Sequence, residues 1–367
     1  MRPIWFDKTD NSVNIIDQRK LPHKTVIEKL ISVAQVITAI KDMYVRGAPL
    51  IGVTGAYGVY IAAKTVSDNC KDIKSYIDAE CQKLKNARPT AINLIWAVEK
   101  VFQKLNFSAN IEDIINTAKK EASAIAEEEV ENCKKIGEYG LSLIEEISKK
   151  KNGKTANILT HCNAGRLACI EYGTATAPIY AAFDKGIDLH VWVDETRPLN
   201  QGARLTAYEL EEKGVKHTVI TDNAGGHLMQ HSLVDIAIVG TDRTAYTGDV
   251  ANKIGTYLKA LAAKDNKIPF YVALPSSTFD WKIKDGIKDI PIEKRNSDEI
   301  RYVEGFCRGK IEKVAIMPQK SPAANYAFDV TPARLITGFI TERGICKANK
   351  EAVLSLFPEK NRSKTYG

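Results

Sequence analysis

The pattern of apolar and polar positions changes near residue 150. Before that point, apolar residues recur at helical spacing in four segments, at residues 33–40, 50–64, 91–101 and 110–150. Ser32 and Gln35 have the spacing of a helix capping box, and Pro49 suits the first turn of a new helix. The sequence therefore predicts a mainly helical N-terminal domain over residues 1–150, with a lysine-rich linker at 149–154.

From residue 151 onwards, short apolar runs alternate with helical segments. The candidate strands lie at residues 156–160, 189–193, 217–221, 236–239, 270–274 and 314–317. Helices are predicted between several of them, at residues 174–183, 203–213 and 250–263. Such an alternation predicts a parallel sheet that is covered by helices on both faces. The expected fold class is therefore α/β, with a parallel-sheet domain over residues 151–367 after the helical domain.

The composition is that of a chain with two buried cores, since 44% of its 367 residues are apolar. The net charge of +7 comes largely from scattered lysines, and no basic stripe with interleaved aromatic residues predicts a nucleic-acid partner. No apolar run approaches the length of a membrane span. The seven cysteines include no C-x-x-C pair, and the first residues do not resemble a signal peptide. We therefore expect a cytoplasmic protein with reduced thiols.

Polar side chains follow the ends of the predicted parallel strands, where α/β sheets bind their ligands. Cys162 follows the strand at 156–160, and Asp242 follows the strand at 236–239. Either residue alone also suits a structural role, as a small buried side chain or as a turn cap. A thiol and a carboxylate on loops at one sheet edge together indicate chemistry rather than an inert surface.

Basic residues in both predicted domains suggest an anionic ligand. A helical pattern begins near Asp249, so Asn252 and Lys253 are expected in the opening turns of a helix. Main-chain N–H groups and the helix dipole favour an anion there. Arg46 and Arg88 each lie beside a break between predicted helices, where they either form ion pairs or bind a phosphate group. These features point to a small phosphorylated substrate.

Other kinds of site lose support. No G-x-G-x-x-G follows a predicted strand, and the sequence contains no G-x-x-x-x-G-K-[ST] loop, so nucleotide cofactors are not expected. His161 and His227 also follow predicted strands, but candidate metal ligands occur singly along the sequence. We therefore expect these histidines to form hydrogen bonds, and we predict no metal site.

Six segments of the sequence are recognisable motifs: RGAP at 46–49, RPT at 88–90, THCNAG at 160–165, DETRP at 194–198, QGAR at 201–204 and GDVANKIGTY at 248–257. They resemble motifs of the methylthioribose-1-phosphate isomerase family, part of a wider family that includes regulatory subunits of translation initiation factor 2B. The resemblance extends from near residue 2 to near residue 345, with the motifs in the same order.

The resemblance implies a Rossmann-like C-terminal domain, a homodimer, no cofactor and a role in methionine salvage. By position, it assigns Asp242 as the proton donor and Cys162 as the residue that stabilises the transition state. The positions that match substrate-binding residues are Arg46, Gly47, Ala48, Arg88, Gln201, Asn252 and Lys253. The chain departs from the family pattern at Arg166, Cys169, Thr241 and residues 244–247.

The reaction implied by the resemblance converts an aldose into a ketose at carbons 1 and 2 of a phosphorylated pentose. Asp242 would protonate the ring oxygen. Cys162 would act as a base toward an enediol, or polarise the 2-oxygen during a hydride shift. The same chemistry suits 5-methylthioribose 1-phosphate, 5-deoxyribose 1-phosphate or ribose 1,5-bisphosphate. The remaining alternative is a non-catalytic regulatory subunit, and the presence of both Cys162 and Asp242 favours an enzyme over it.

Overall fold

The chain divides into two units. The computed structural model describes residues 1–67, 69–88 and 90–361. The first unit contains Met1–Asn132 together with Arg166–Glu171, and the second contains Cys133–Gly165 and the chain from Tyr172 onwards. The domain boundary predicted between residues 150 and 151 stays a prediction.

The first unit combines a small antiparallel sheet with a set of helices. Its strands are β1 (Ile4–Asp7), β2 (Ser12–Ile16) and β3 (Ile27–Leu30). Its helices are α1 (Val33–Lys41), α2 (Ala48–Lys64), α3 (Ile73–Lys85), α4 (Ile92–Lys104), the first part of α5 (Ile111–Lys150) and the short α6 (Arg166–Cys169). The four predicted helical segments are confirmed. The sheet was not predicted, because β1 and β3 each bury a single residue and leave little pattern.

The predicted helix starts of α1 and α2 are present. The Oγ atom of Ser32 accepts the N–H of Gln35 at 3.3 Å, and Gln35 Oε1 accepts the N–H of Ile31 at 2.8 Å. Gly47 is the N-cap residue of α2, and Pro49 lies in its first turn. The capping residues and the proline therefore determine where these helices begin.

Glycines on α2 allow α4 to approach it closely. A Cβ atom on Gly52 would lie 3.0 Å from the carbonyl oxygen of Asn93. One helical turn further on, a Cβ atom on Gly55 would lie 2.4 Å from Leu94 Cδ1 and 3.1 Å from Val98 Cγ2. The contacts advance in the same direction along both helices, so α2 and α4 run parallel and their amino ends lie together.

A seven-stranded sheet forms the centre of the second unit. Its strands are β4 (Ala156–Thr160), β5 (Leu189–Asp194), β6 (His217–Ile220), β7 (Ile236–Val239), β10 (Phe270–Ala273), β17 (Gly338–Thr341) and β18 (Gly344–Cys346). They pair in the order β18-β17-β10-β7-β4-β5-β6, and every pair except β17–β18 is parallel. The predicted parallel sheet is therefore confirmed.

Helices and smaller sheets complete the second unit. The helices are α7 (Ala177–Asp184), α8 (Ala207–Lys213), α9 (Ala224–Gln230), α10 (Thr256–Asp265), α11 (Gly286–Asp289), α12 (Asp298–Arg301) and α13 (Lys350–Leu356), and a π-helical turn (Gly202–Thr206) precedes α8. The additional strands are β8 (Arg243–Ala245), β9 (Val250–Lys253), β11 (Phe279–Asp280), β12 (Lys294–Arg295), β13 (Tyr302–Cys307), β14 (Lys310–Ala315), β15 (Asn325–Tyr326) and β16 (Phe328–Thr331).

Two sequence predictions for this unit are wrong. Residues 314–317 are not a strand of the parallel sheet, because Val314 belongs to the β13–β14 hairpin and is more than half exposed. Residues 250–253 are not helical, because β9 is fully buried and pairs with both β8 and β16. Gly255, with a φ of +104°, separates this strand from α10. This short segment of two apolar and two polar residues has no period that distinguishes a helix from a strand, and here strand pairing decides the outcome.

The first unit depends on a chain segment that lies far along the sequence. Ile170, in the segment Arg166–Glu171, is fully buried in the same apolar core as α1, α2 and α4.

None of the helices among residues 1–67, 69–88 and 90–361 combines the length and the apolar content of a membrane span.

The close contact of α2 and α4 predicts a steric effect. We expect Gly52→Val to destabilise the protein by about 1–3 kcal/mol, because the new side chain would press against the backbone of Asn93. The midpoint of thermal unfolding should fall by several degrees. Gly305→Val is the matched control, since a Cβ atom on Gly305 meets nothing within 4 Å. Equal midpoints for the two variants would contradict the proposed packing.

Candidate active site

The proposed acid and thiol follow two neighbouring strands of the sheet. Strands β4 and β7 are parallel partners, with Ile158 opposite Ile236. Cys162 comes two residues after β4, and Asp242 comes three residues after β7. The two loops are in tight contact, because a Cβ atom on Gly240 would lie 2.5 Å from the Cβ of Ala164. The structure therefore brings the Cys162 loop and the Asp242 loop together at one sheet edge, as the strand order predicts.

The main chain of Cys162 is held in an uncommon conformation. Its φ is +66°, a left-handed value that residues with a Cβ rarely adopt. Its N–H donates to Thr196 Oγ1 at 2.8 Å, and its carbonyl oxygen accepts the hydroxyl of Thr206 at 2.7 Å. The residue is 8% exposed. None of the seven cysteines, all within the described residues, forms a disulfide.

Asp242 lies at the start of a hairpin that also carries two proposed binding residues. The half-buried Asp242 donates its N–H to the carbonyl oxygen of Ala251 at 3.0 Å. The next residue, Arg243, is the strand partner of Ala251 in the antiparallel pair of β8 and β9. Asn252 and Lys253 follow directly on β9. One hairpin therefore places the proposed acid beside these polar side chains.

Asn252 and Lys253 lie on a strand, and the prediction that they open a helix is wrong. Both are buried, and Lys253 Nζ lies 4.7 Å from the centre of the Phe328 ring on β16. Asn252 Nδ2 donates to Thr256 Oγ1 at 3.0 Å. These contacts hold both side chains in fixed positions, without the helix N-terminus that the sequence pattern predicted.

The amino end of α10 is already occupied by a carboxylate of the protein. Asp329 on β16 accepts the N–H of Gly255 at 2.7 Å and the N–H of Tyr257 at 3.1 Å. Burial raises the pKa of the Asp329 carboxyl, although both N–H groups act in the opposite direction. The predicted anion cradle is therefore not formed at this helix, because its first N–H groups bind an aspartate.

Gln201 supplies a buried acceptor at the same sheet edge. It lies beyond β5, immediately before the π-helical turn Gly202–Thr206, and it is 5% exposed. Within the described part of the chain, its Oε1 atom has no hydrogen-bond partner. Buried polar atoms of this kind are rare in native proteins and need an explanation. A ligand hydroxyl or amine would satisfy it.

The proposed phosphate-binding residues of the first unit gather at the amino ends of two helices. Arg46, Gly47 and Ala48 lie at the start of α2, where the N-cap residue Gly47 has no side chain to fill the helix end. Arg88 precedes α4, whose N-cap residue Ala91 makes no side-chain cap. Both arginines are about 9% exposed. Helix N-termini and guanidinium groups both favour an anion, so the site-residue prediction for Arg46 and Arg88 stays a prediction. Pro89 of the same motif lies outside the described residues.

Candidate metal ligands that occur singly along the sequence come together in the fold, and the prediction of no metal site stays a prediction. His161, Asp194 and Asp222 place one ligand atom each within 4.8 Å of one another. Protein groups already occupy this cluster. His161 Nδ1 is 2.8 Å from Asp194 Oδ2, its Nε2 is 2.9 Å from the carbonyl oxygen of Ile254, and Lys259 Nζ is 3.2 Å from Asp194 Oδ2. The predicted hydrogen-bonding role of His161 is confirmed. His227 lies on α9, where its ring centre is 4.4 Å from that of His231.

The residues that depart from the family pattern have structural contacts. Arg166 and Cys169 belong to the first unit, where Arg166 donates a hydrogen bond to the carbonyl oxygen of Met1 and Cys169 is buried. Thr241 Oγ1 donates to the carbonyl oxygen of Ala251 at 2.9 Å and supports the β8–β9 hairpin. These contacts give both departures a role in local structure.

Sequence reasoning missed Thr196 and Thr206, which contact the main chain of Cys162 directly. Thr196 lies within the DETRP motif that follows β5, the strand beside β4, and Thr206 lies shortly after the QGAR motif, but neither motif indicates these contacts. Because a hydroxyl contact to a main-chain atom leaves no periodic pattern, it could be found only from coordinates.

Comparison with known proteins gives consistent results over the whole chain. Residues 44–348 match the Initiation factor 2 subunit family. A protein of Desulfosudis oleivorans named methylthioribose-1-phosphate isomerase is 65% identical, with 98% of this chain and 97% of that protein covered. A protein of the same name from Brucella anthropi is 58% identical, with the same coverage.

Two solved structures have similar folds and different names. The 5-methylthioribose 1-phosphate isomerase of Pyrococcus horikoshii is 38% identical with a TM-score of 0.83, covering 98% of this chain and 96% of that one. The delta subunit of translation initiation factor eIF-2B from A. fulgidus is also 38% identical, with a TM-score of 0.79 and coverage of 98% and 99%. Fold likeness alone therefore does not separate an enzyme from a regulatory subunit.

The start of α2 makes a testable prediction. Gly47 has a φ of +94°, and a Cβ atom there would lie 2.5 Å from the Cβ of Ala168. We expect Gly47→Ala to displace the Arg46 loop and to weaken the binding of inorganic phosphate, measured by titration calorimetry. Gly153→Ala is the control, because Gly153 has a φ of +78° and meets nothing within 4 Å. If Gly47→Ala and Gly153→Ala bound phosphate equally well, the assignment of the anion site to α2 would be wrong.

Proposed function

Because the chain belongs to the Initiation factor 2 subunit family, and to the branch whose members are named methylthioribose-1-phosphate isomerase, we propose that it is that isomerase. It converts 5-methylthioribose 1-phosphate into 5-methylthioribulose 1-phosphate in methionine salvage. The observation that carries the proposal is the pair of adjacent strand-end loops that hold Cys162 and Asp242. A regulatory subunit would not require a thiol and a carboxylate at this edge.

The phosphate on carbon 1 of the substrate is the reason that an acid is needed. It blocks the anomeric oxygen, so the ring cannot open as it does in a free sugar. We propose that Asp242 transfers its proton to the ring oxygen while the bond between that oxygen and carbon 1 breaks. The half-buried position of Asp242 limits the water that competes for this proton.

The hydrogen on carbon 2 then moves to carbon 1, and the hydroxyl of carbon 2 becomes the ketone. In one route, Cys162 as a thiolate removes the carbon-2 proton, an enediol forms, and the Cys162 thiol returns this proton to carbon 1 while the carbon-2 hydroxyl passes its proton to the Asp242 carboxylate. In the other route, hydride moves directly from carbon 2 to carbon 1, and the carbon-2 hydroxyl passes its proton to the Asp242 carboxylate, which has given its own proton to the ring oxygen. Cys162 then polarises the 2-oxygen. Its fixed main chain is consistent with either role.

The remaining residues bind the substrate in this proposal. Arg46 and Arg88, with the N–H groups that start α2, hold the phosphate, whose charge is the same before and after the reaction. Gln201 accepts a hydrogen bond from a sugar hydroxyl through its buried Oε1 atom. Asn252 and Lys253 contact the substrate from the β8–β9 hairpin that carries Asp242.

The alternative substrates differ at carbon 5. An apolar pocket separates methylthio from hydrogen by only about 1–3 kcal/mol, so the enzyme is also expected to accept 5-deoxyribose 1-phosphate. Ribose 1,5-bisphosphate is less favoured, because Arg166, the extra basic residue in this region of the sequence, already bonds to the carbonyl oxygen of Met1.

We further propose a homodimer in the cytoplasm, in keeping with seven cysteines that form no disulfide.

The proposed function is tested by incubating the protein with methylthioribose 1-phosphate and detecting the ketone product. We expect Asp242→Asn and Cys162→Ala each to lower kcat by about 100- to 10,000-fold while substrate still binds. Asp265→Asn and Cys307→Ala are matched controls at exposed positions and should retain normal turnover. Normal turnover in Asp242→Asn or Cys162→Ala would end the assignment of that residue.

The phosphate-binding role of Arg88 has a different kinetic signature. We expect Arg88→Ala to raise KM by about 10- to 100-fold with little change in kcat, because the lost hydrogen bonds exist in both ground and transition states. Lys85→Ala, which removes a nearby surface cation paired with Glu99, should leave KM unchanged. A variant with normal KM and reduced kcat would contradict a role for Arg88 in phosphate binding.

A further inference from the structure

Two hydrogen-bonded residues near the proposed thiol, one of them Cys162 itself, have a left-handed backbone conformation. Cys162 has a φ of +66°, and Thr196, at the end of the neighbouring strand β5, has a φ of +68°. This conformation is unfavourable for residues with a Cβ, and most of all for a β-branched threonine. Such residues persist only where surrounding contacts determine them, and they occur often at functional sites.

The hydroxyl of Thr196 joins the ends of β4 and β5. Its Oγ1 atom accepts the N–H of Cys162 at 2.8 Å and donates to the carbonyl oxygen of Asp194 at 2.9 Å. One hydroxyl can make both bonds, because it has one proton and two lone pairs. Thr196 is fully buried, so no water competes for these bonds. The position of Cys162 therefore depends on that of Thr196.

Thr196 is held in turn by Asp222, which follows strand β6. Asp222 Oδ1 accepts the N–H of Thr196, and its Oδ2 accepts the N–H of Arg197, each at 2.7 Å. The carbonyl oxygen of Asp222 accepts a hydrogen bond from Lys259 Nζ. A carboxylate that bridges two successive N–H groups fixes the direction of the turn between them.

Close packing holds the turn at Thr196 and Arg197 in place. A Cβ atom on Gly202 would lie 1.7 Å from the carbonyl oxygen of Asp194 and 3.0 Å from Thr196 Oγ1. The main chain of the π-helical turn therefore lies directly against the Thr196 hydroxyl. On the other side, Thr206 of that turn donates to the carbonyl oxygen of Cys162 at 2.7 Å.

We propose that Thr196 and Asp222 are positioning residues for the isomerisation. Asp222 fixes Thr196, and the Thr196 hydroxyl fixes the main chain of Cys162 and so the direction of its sulfur. Neither residue needs to contact the substrate. This inference rests on the proposed function, because the position of the Cys162 sulfur affects the rate only if that sulfur takes part in the reaction. A misplacement of about 1 Å at a reacting group can cost about 100-fold in rate.

The first experiment compares two substitutions of Thr196. Thr196→Val keeps the β-branched shape and removes the hydroxyl, and we expect kcat to fall about 100-fold with KM changed less than about 3-fold. Thr196→Ser restores the hydroxyl and should keep kcat within about 3-fold of the wild type. Equal losses in both variants would contradict the inference, because a serine that keeps the hydroxyl would then fail to restore kcat.

The second experiment tests the link from Asp222. Asp222→Asn keeps one acceptor oxygen but turns an amide toward the other N–H, and we expect kcat to fall at least about 10-fold. Asp235→Asn is the matched control. Asp235 also accepts a main-chain N–H, from Asn157 at 2.7 Å, but precedes β7 at the opposite sheet edge. The double variant Thr196→Val with Asp222→Asn should lose little more than Thr196→Val alone, since both act through Cys162.

A measurement without substrate separates this inference from the proposed function. The rate at which iodoacetamide alkylates Cys162, followed by mass spectrometry, should change in Thr196→Val and Asp222→Asn and stay normal in Thr196→Ser and Asp235→Asn. Exposed Cys307 serves as the internal reference. Unaltered alkylation and kcat in a folded Thr196→Val, or in Asp222→Asn if the former does not fold, would overturn the inference. A wild-type protein without isomerase activity would instead refute the function, and the alkylation rates would still test the positioning.

Discussion

The parallel pairing of β4 with β7 on one side and β5 on the other is the constraint on which the site depends. Parallel strands end at the same sheet edge, so loops that are 80 residues apart in sequence, at Cys162 and Asp242, must emerge side by side. The contact between Gly240 and Ala164 then leaves little freedom between those loops. The sheet therefore aligns the two loops, and this arrangement suits a reaction in which an acid and a thiol act on one substrate.

The elements that the sequence predicts well are those in which pattern and burial agree. Strands β4 and β7 are short apolar runs with polar residues at their ends, and they occupy the central positions of the sheet. Helix α2 begins where Gly47 and Pro49 indicate, since these residues restrict the backbone locally. The order of motifs along the chain was also sufficient to select the family, which the relatives bear out.

The elements that the sequence did not predict depend on contacts between distant residues. Residues 250–253 follow a polar loop, where the sequence predicts the start of a helix, but pairing with β16, some 75 residues later, makes them a strand. The same pairing brings Asp329 to the N–H groups of α10, so that the expected anion site is occupied. The anion site proposed instead lies at the paired amino ends of α2 and α4, whose parallel alignment depends on Gly52 and Gly55. No local pattern carries that information.

The segment Arg166–Glu171 prevents a simple division of the chain into two folding units. It contributes Ile170 to the first core, although the residues on both sides of it belong to the second unit. No single cut through the chain can therefore yield two complete halves. A fragment that ends at Asn132 would expose an apolar patch where Ile170 belongs, and a recombination event would have to exchange both pieces at once.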